Sequence, residues 1–268
     1  MMPGCERRRA LMPEIQNRER NPLGRTVRLL TWMAEHDAQD FGVRELAAAV
    51  DMAPSTTHRS LGALEEEGLV SSDPKNGRYR LSLGFYRLAL RGARRAPLIE
   101  LATPLLQEAA RAGEETSQLA VYGALEQSVL FLSEVVPDRR LQARSRLYRW
   151  LPLTSTAAGL AVLSLLEPAA LVAAFSESAN PPSGSELAEA LQTVRERGFA
   201  TVRGAREEGC VELAVPFRWV DGRPGGALGF AVPEARFTPK LEQALGRLLA
   251  VQAGKLESRL RDPVARAS

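Results

Sequence analysis

The chain has 268 residues, of which 45% are hydrophobic and 25% are charged. This composition is typical of a globular protein of one or two domains, so disorder along the whole length is excluded. No apolar run approaches the ~18 residues of a transmembrane helix, and the N-terminus lacks the apolar segment of a secretory signal, so we expect a cytoplasmic protein with no membrane partner.

Charge is unevenly distributed along the chain. Residues 1–96 hold 16 Lys and Arg against 12 Asp and Glu, whereas the remaining residues hold 19 against 20. A basic N-terminal third is typical of a nucleic-acid-binding module joined to a second domain, although chance asymmetry on a solvated surface gives the same pattern. Residues 1–20 are polar and rich in arginine, so we interpret them as a mobile basic tail.

Three helices are predicted after the tail. Apolar residues recur every three or four positions over residues 22–36, and a second, shorter helix is predicted over residues 43–50. Asp51 is expected to adopt a left-handed conformation in the turn that follows. A third helix is predicted over residues 54–67, because proline is favourable at its first position and Gly68 is a suitable C-cap.

The third helix is expected to have one inward and one outward face. At 100° per residue, Thr57, Leu61 and Leu64 share one side and are expected to pack inward. The outward side carries hydroxyl, imidazole and guanidinium groups, from Ser55, Thr56, His58 and Arg59. Such a surface suits a helix in the major groove of DNA, where its first two turns contact base edges and phosphates. A solvated helix face is the alternative interpretation.

A β-hairpin is predicted next, with strands over residues 69–72 and 78–82. Strand alternation places Tyr79 and Leu81 toward the helices. The basic side chains expected on the opposite side, or in the turn, are Lys75, Arg78 and Arg80. These three are expected to contact DNA phosphates, although ordinary edge-strand charges have the same pattern.

Three helices followed by a two-stranded wing form a winged helix-turn-helix, and the residues of this unit resemble a known family. The runs PSTTHRSLGALEEEGLV and GRYRL are similar to the most specific parts of the N-terminal domain of the IclR family of bacterial transcriptional regulators. The runs WLPLTSTAAGLAVLS and RERGFATVRGAREEGCVELAVPFRWVDGRPGGALGF resemble segments of that family's C-terminal domain. The resemblance extends, in order, over about residues 22–260.

The resemblance implies an α+β protein built from three parts. These are a winged helix-turn-helix DNA-binding domain over residues 21–82, a linker helix over 83–96, and an effector-binding and oligomerisation domain over 97–268. In the last part the pattern predicts helices over residues 97–111, 156–166, 186–197 and 238–260, and strands over 117–122, 128–135, 141–147, 199–203, 211–217 and 226–232. Adjoining strands favour an antiparallel sheet, and the resemblance implies that this sheet is GAF-like, with a small-molecule cavity on one face.

The resemblance also implies where an effector binds. In family members whose ligand is a small carboxylate, backbone groups matching Ala157 and Ala158 bind the acid at the start of a helix, where free N–H groups favour an anion. Cys210 matches a cysteine of that pocket. The remaining positions carried over are Leu151, Thr154, Thr156, Val202, Arg203, Gly229 and Ala231.

Some of these positions depart from the family's pattern. An acidic residue corresponds here to Val202 or Arg203, and two serines correspond to Gly229 and Ala231. The departures predict a roomier, more apolar pocket and an effector that is bulkier or more aromatic than a two- or three-carbon acid. Its carboxylate is expected near Arg203 or the helix amides, and ordinary core packing is the alternative explanation for each position.

Together these observations favour a regulator whose affinity for double-stranded DNA is modulated by a small organic-acid or aromatic effector. One recognition helix reads too few base pairs for genomic specificity, so a homodimer or dimer of dimers is expected. Two alternatives stay open: the winged helix binds a protein, or the C-terminal domain is an enzyme acting on a small acid. The enzyme has little chemistry available, because Cys210 is the one candidate nucleophile in its domain and both histidines lie outside that domain. No metal or cofactor is expected.

Overall fold

The computed structural model describes residues 21–36, 38–94, 97–143, 147–167, 171, 184–204 and 207–262. The chain forms two units, residues 1–95 and 96–268, which are treated separately. The tail predicted for residues 1–20 lies outside the described residues.

Three helices, a two-stranded wing and a further helix make up the N-terminal unit. They are α1 (Pro22–Glu35), α2 (Val43–Ala49), α3 (Pro54–Glu66), β1 (Val70–Ser72), β2 (Tyr79–Leu81) and α4 (Leu83–Arg94). The strands β1 and β2 pair antiparallel, with Val70 opposite Leu81. The predicted helices and hairpin are therefore confirmed, with bounds that differ by one or two residues.

One hydrophobic cluster holds this unit together. Leu29 of α1, Leu46 of α2 and Leu61 of α3 are fully buried in it, and Tyr79 of the wing packs against the same cluster. The turns on either side of α3 have the conformations that the sequence predicts, since Asp51 has φ 51° and Gly68 has φ 68°. These two turns set the direction in which α3 enters and leaves the core.

A six-stranded antiparallel sheet is the centre of the C-terminal unit. Its elements are α5 (Pro97–Gly113), β3 (Thr116–Gly123), β4 (Ser128–Val135), β5 (Trp150–Pro152), α6 (Ala157–Ser164), α7 (Gly184–Arg197), β6 (Ala200–Arg203), β7 (Cys210–Arg218), β8 (Pro224–Pro233) and α8 (Pro239–Arg261). The strand order is β5-β4-β3-β8-β7-β6. The α+β class with an antiparallel sheet is thus confirmed.

The two faces of the sheet carry separate hydrophobic clusters. On one face, Leu119 and Leu213 pack in a cluster with residues of α5 and α8. On the other face, Ala120 and Ala214 pack in a cluster with residues of α6 and α7. Because side chains alternate along each strand, the central strands β4, β3, β8 and β7 contribute to both clusters.

One predicted strand of this unit is wrong. Residues 141–143 form no strand, and residues 144–146 lie outside the described residues. The Leu141 carbonyl accepts hydrogen bonds from the Arg236 guanidinium, at 3.2 Å, instead of pairing in the sheet. The edge strand is β5, whose Leu151 pairs with Val129 of β4. Within the described ranges, none of the helices is long and apolar enough to cross a bilayer.

The start of α6 approaches the preceding segment so closely that only glycine fits at position 159. A Cβ built on Gly159 would overlap the Leu153 carbonyl, whereas one built on Gly254 of α8 would meet no atom within 4 Å. The position of α6 above the sheet therefore requires a residue without a side chain at position 159.

We expect Gly159→Ala to lower the free energy of unfolding of the C-terminal unit by about 1–3 kcal/mol, because the helix must shift to relieve the overlap. The matched control Gly254→Ala should raise it by about 0.5–1 kcal/mol, since alanine is the better helix former. Calorimetric unfolding of both variants measures this. A Gly159→Ala protein as stable as wild type would contradict the proposed packing of α6.

Candidate functional sites

The outward side of α3 is open to solvent. Ser55, His58 and Arg59 are exposed and Thr56 is half-buried, whereas Thr57 is completely buried and its hydroxyl donates to the Ala53 carbonyl at 3.2 Å. The inward side of α3 also buries Leu61 and Leu64. The predicted division of the helix into a core side and an outward side is therefore confirmed, while contact with DNA stays a prediction.

A carboxylate at the end of α3 fastens the wing to the helix. One oxygen of Glu65 accepts hydrogen bonds from the backbone N–H of Ser72, at 2.7 Å, and from its hydroxyl, at 2.8 Å. These two donors, the backbone N–H first, hold the pKa of Glu65 below its ordinary value. The wing thus has a defined position relative to the outward side of α3.

The arginines of the wing have different surroundings. Arg78 donates to the Asp40 carboxylate at 2.5 Å and to the Glu45 carboxylate at 3.3 Å. Arg80 is exposed, and its nearest polar contact is a long hydrogen bond of 3.4 Å to the Ser71 hydroxyl. Lys75, in the turn, is also exposed.

These contacts correct the expectation that Arg78 and Arg80 act alike. Two carboxylates of its own unit hold the Arg78 guanidinium, and the hydrogen bond to Asp40 raises its pKa. A phosphate would have to displace these partners, so we expect Arg78 to stabilise the wing rather than to contact DNA. Arg80 and Lys75 keep the role that the sequence predicts for them.

In the C-terminal unit, the start of α6 is already bonded to an acidic side chain. The carboxylate of Glu212, on β7, accepts a hydrogen bond from the backbone N–H of Ala157 at 3.2 Å, although Glu212 is only 5% exposed. Thr156 caps the same helix, since its hydroxyl oxygen accepts from the N–H of Gly159 at 2.9 Å. The helix start predicted to bind a ligand carboxylate therefore holds a carboxylate of the protein itself.

Polar side chains flank Glu212 on the same face of the sheet. Thr116 of β3 pairs with Ala231 of β8, which in turn pairs with Glu212. Directly opposed residues of antiparallel strands project to the same side, so these three lie in one row across the sheet. Two residues further along β3, Gln118 has the same orientation. Below we call Thr116, Gln118 and Glu212 the polar cluster, and all three are buried.

Several of the predicted pocket residues share this face. Leu151, Ala157, Ala158 and Val202 belong to the hydrophobic cluster under α6 and α7. By strand register, Gly229, Ala231 and the half-buried Cys210 are on this face too. Thr154 lies in the short 3-10 turn before α6, and Thr156 is the N-cap of α6.

Arg203 was expected on the same side of the sheet as the other predicted pocket residues, and it lies on the opposite side. It pairs with Val211 rather than with Glu212, so it projects from the opposite face of the sheet. There it donates to Glu234 at 3.1 Å, and its guanidinium lies 4.9 Å from the centre of the Phe237 ring. Glu212 and Thr116 are buried on the side of the sheet that α6 covers, so this side is more polar than the sequence predicts.

Glu212 was not predicted as a site residue, although the sequence contains a signal for it. A lone acidic residue stands in the run Val211-Glu212-Leu213-Ala214-Val215, which is otherwise apolar. Glutamate is almost never fully buried without a partner, so its place in a strand of the core indicates a polar site. Among the described residues, no group of three or more His, Cys, Asp or Glu side chains is arranged to hold a metal ion.

Two known families match most of the chain. Residues 22–74 match the family described as IclR helix-turn-helix domain, and residues 91–257 match the one described as Bacterial transcriptional regulator IclR C-terminal. HTH-type transcriptional regulator Rv1719 of Mycobacterium tuberculosis is 30% identical over 234 residues, which cover 85% of this chain and 88% of that protein. HTH-type transcriptional regulator KdgR of Escherichia coli is 27% identical over 234 residues, with 84% and 87% covered.

Solved structures of similar architecture agree with these matches. A putative IclR transcriptional regulator from Silicibacter sp. has a TM-score of 0.77 and 25% identity, and 90% of this chain and 96% of that one are covered. An IclR homolog from Microbacterium hydrocarbonoxydans, complexed with 4-hydroxybenzoate, has a TM-score of 0.73 and 24% identity, with 90% and 99% covered. The matching families and relatives are transcriptional regulators, which confirms the expectation that the chain is a regulator and not an enzyme. The chain therefore belongs to the IclR family of bacterial transcriptional regulators.

Proposed function

We propose that this regulator binds an operator in double-stranded DNA through the outward side of α3 and through the wing, and that a small molecule on the α6 side of the sheet modulates this binding. The exposed side chains of α3 carry the proposal. Ser55, His58 and Arg59 face solvent while the opposite side of the helix is fixed in the core. Side chains at the start of a recognition helix are the ones that reach base edges.

The experiment that tests this function is selection of binding sites from fragmented chromosomal DNA, followed by anisotropy titration of the enriched site at physiological salt. We expect specific binding, and we expect a bound effector to change it by a coupling free energy of about 1–3 kcal/mol. Binding of no fragment above random DNA would favour the alternative, in which the winged helix recognises a protein. Because the operator is chromosomal, the proposed function places the regulator in the cytoplasm.

A homodimer is the assembly we propose for the N-terminal unit. Leu83, Tyr86 and Leu90 of α4 are 85%, 51% and 63% exposed, and their spacing places them on one side of the helix. On α1, Leu23 and Val27 are 69% and 52% exposed at a spacing of four residues. Exposed apolar stripes of this kind mark interaction surfaces, and a second copy supplies the second recognition helix that a palindromic operator requires.

Removal of the guanidinium from α3 tests base recognition. We expect Arg59→Ala to weaken binding to the selected operator by about 1–3 kcal/mol and to relax specificity at one position of each half-site. Anisotropy titration measures the change. Arg247→Ala, an exposed position on α8, is the matched control and should bind as wild type does. Equal operator affinity for Arg59→Ala and wild type would refute the contact.

The two wing arginines should differ in their effect on the salt dependence of DNA binding. Arg80→Ala should lower affinity for all DNA sequences and reduce the slope of log affinity against log salt by about one per protomer, because one phosphate contact is lost. Arg78→Ala is the matched control. It should lower the melting temperature, since Asp40 and Glu45 lose their partner, but leave the slope unchanged. Identical slopes for wild type and Arg80→Ala would contradict the assignment.

The assembly is tested by charging the α4 stripe. The double variant Tyr86→Glu/Leu90→Glu should be monomeric in light scattering at micromolar concentration and should lose most of its operator affinity, since buried carboxylates oppose association. Leu125→Glu, at a position of the C-terminal unit that is 75% exposed, is the control and should leave the assembly unchanged. A double variant that assembles as wild type does would place the interface elsewhere.

A further inference from the structure

The polar cluster is not what a purely structural core requires. Thr116, Gln118 and Glu212 are 1%, 2% and 5% exposed, and the residues of β8 that pair with them are Gly229 and Ala231. Burial of polar groups costs free energy, so a core without a ligand favours apolar residues at such positions. The cluster thus combines hydrogen-bonding groups with neighbours that have little or no side chain.

Glu212 occupies the place at the start of α6 that best suits an anion. Its carboxylate accepts from the Ala157 N–H, where the helix dipole and unpaired amides favour negative charge. A ligand carboxylate at this point would lose that donor and would face a like charge in a buried, low-dielectric environment. The arrangement therefore disfavours acids in the position where a family resemblance places them.

The hydroxyl of Thr116 can form hydrogen bonds that it does not form within the described residues. Its Oγ1 atom is buried and has no hydrogen-bond partner among the described residues. A hydroxyl has one donor and two acceptor positions, so a buried one without partners is unfavourable unless a ligand or water bonds to it. Thr116 and Glu212 are two strands apart, which puts their Cα atoms about 10 Å from each other. A ligand of a few carbons is long enough to span this distance.

The chemistry of these two side chains selects one class of ligand. The Glu212 carboxylate accepts hydrogen bonds, one of them from the Ala157 N–H, whereas the Thr116 hydroxyl can donate and accept. A ligand carboxylate cannot donate to Glu212 and an ammonium cannot accept from the Thr116 O–H, whereas ligand hydroxyls can do both. Building on the proposed effector function, we propose that this regulator's effector is an uncharged molecule with at least two hydroxyl groups, and that Glu212 determines this specificity by excluding carboxylates from the start of α6.

Binding of defined probes to the intact protein tests the proposal. The hydroxyl probes are glycerol, erythritol, ribitol and arabinose, the acid probes are pyruvate and 4-hydroxybenzoate, and the amine probe is putrescine. Each is measured by thermal shift and calorimetry against wild type and the variants Glu212→Ala, Glu212→Gln and Thr116→Val. Glu189→Gln, an exposed position on α7, is the matched control.

At least one hydroxyl probe should bind wild type, and its Kd should rise about tenfold in Thr116→Val and in both Glu212 variants, as expected for one lost hydrogen bond to a charged or buried group. Thr116→Val without ligand should melt at or above the wild-type temperature, because it removes a buried hydroxyl that lacks a partner. A threonine with a purely structural role would not give weaker ligand binding together with undiminished stability. The acids should bind Glu212→Ala at least about tenfold more tightly than wild type. Glu189→Gln should match wild type throughout.

Other results overturn the proposal. The proposal is contradicted if the acids bind wild type as tightly as they bind Glu212→Ala, or if putrescine binds and every hydroxyl probe fails. It is also contradicted if no hydroxyl probe binds wild type, or if none of the variants weakens the binding of a hydroxyl probe. Operator titrations of the same proteins keep this test separate from that of the proposed function. An acid that binds and changes operator affinity would refute the specificity of Glu212 but support effector control, whereas a polyol that binds without changing operator affinity would do the reverse.

Discussion

Thr57, Leu61 and Leu64 anchor α3 in the core of the N-terminal unit, and the proposed DNA-binding surface depends on that anchoring. Burial of each leucine stabilises the fold by about 1.5–3 kcal/mol, and rotation of the helix by one position would bring the leucines toward solvent and Arg59 toward the core. The identity of the outward side chains is therefore a consequence of core packing. Glu65 extends the same constraint to the wing, because its bonds to Ser72 fix the hairpin beside the helix.

Alternation along the strands imposes the corresponding constraint on the C-terminal unit. Leu213 faces the cluster that contains α5 and α8, so its neighbour Glu212 must face α6. A slip of one residue in β7 would place the carboxylate among the leucines of the opposite face. Packing on one side of the sheet thus holds the proposed specificity residue in position on the other side.

Local sequence patterns sufficed to predict the helices and the hairpin of the N-terminal unit. The errors concern residues whose partners are distant in sequence or whose strand register was uncertain. Periodicity, a proline at the start of α3 and Gly68 at its end define the recognition helix within one residue. In contrast, nothing near Arg78 in sequence indicates that Asp40, 38 residues earlier, holds its guanidinium. Arg203 was misplaced because a family resemblance leaves the strand register uncertain by one residue, and one residue changes the face. Glu212 could have been found from its apolar neighbours in β7, but its bond to Ala157 joins residues 55 positions apart.

The central claim is that the outward side of α3 meets DNA, and photo-crosslinking measures this most directly. A benzophenone amino acid in place of His58, irradiated with the selected operator, is expected to crosslink to the DNA in good yield, and excess unlabelled operator should suppress the crosslink. The same group in place of Val251, which is 55% exposed on α8, is expected to give no crosslink. Operator binding without a crosslink from position 58, or an equal yield from position 251, would contradict the account.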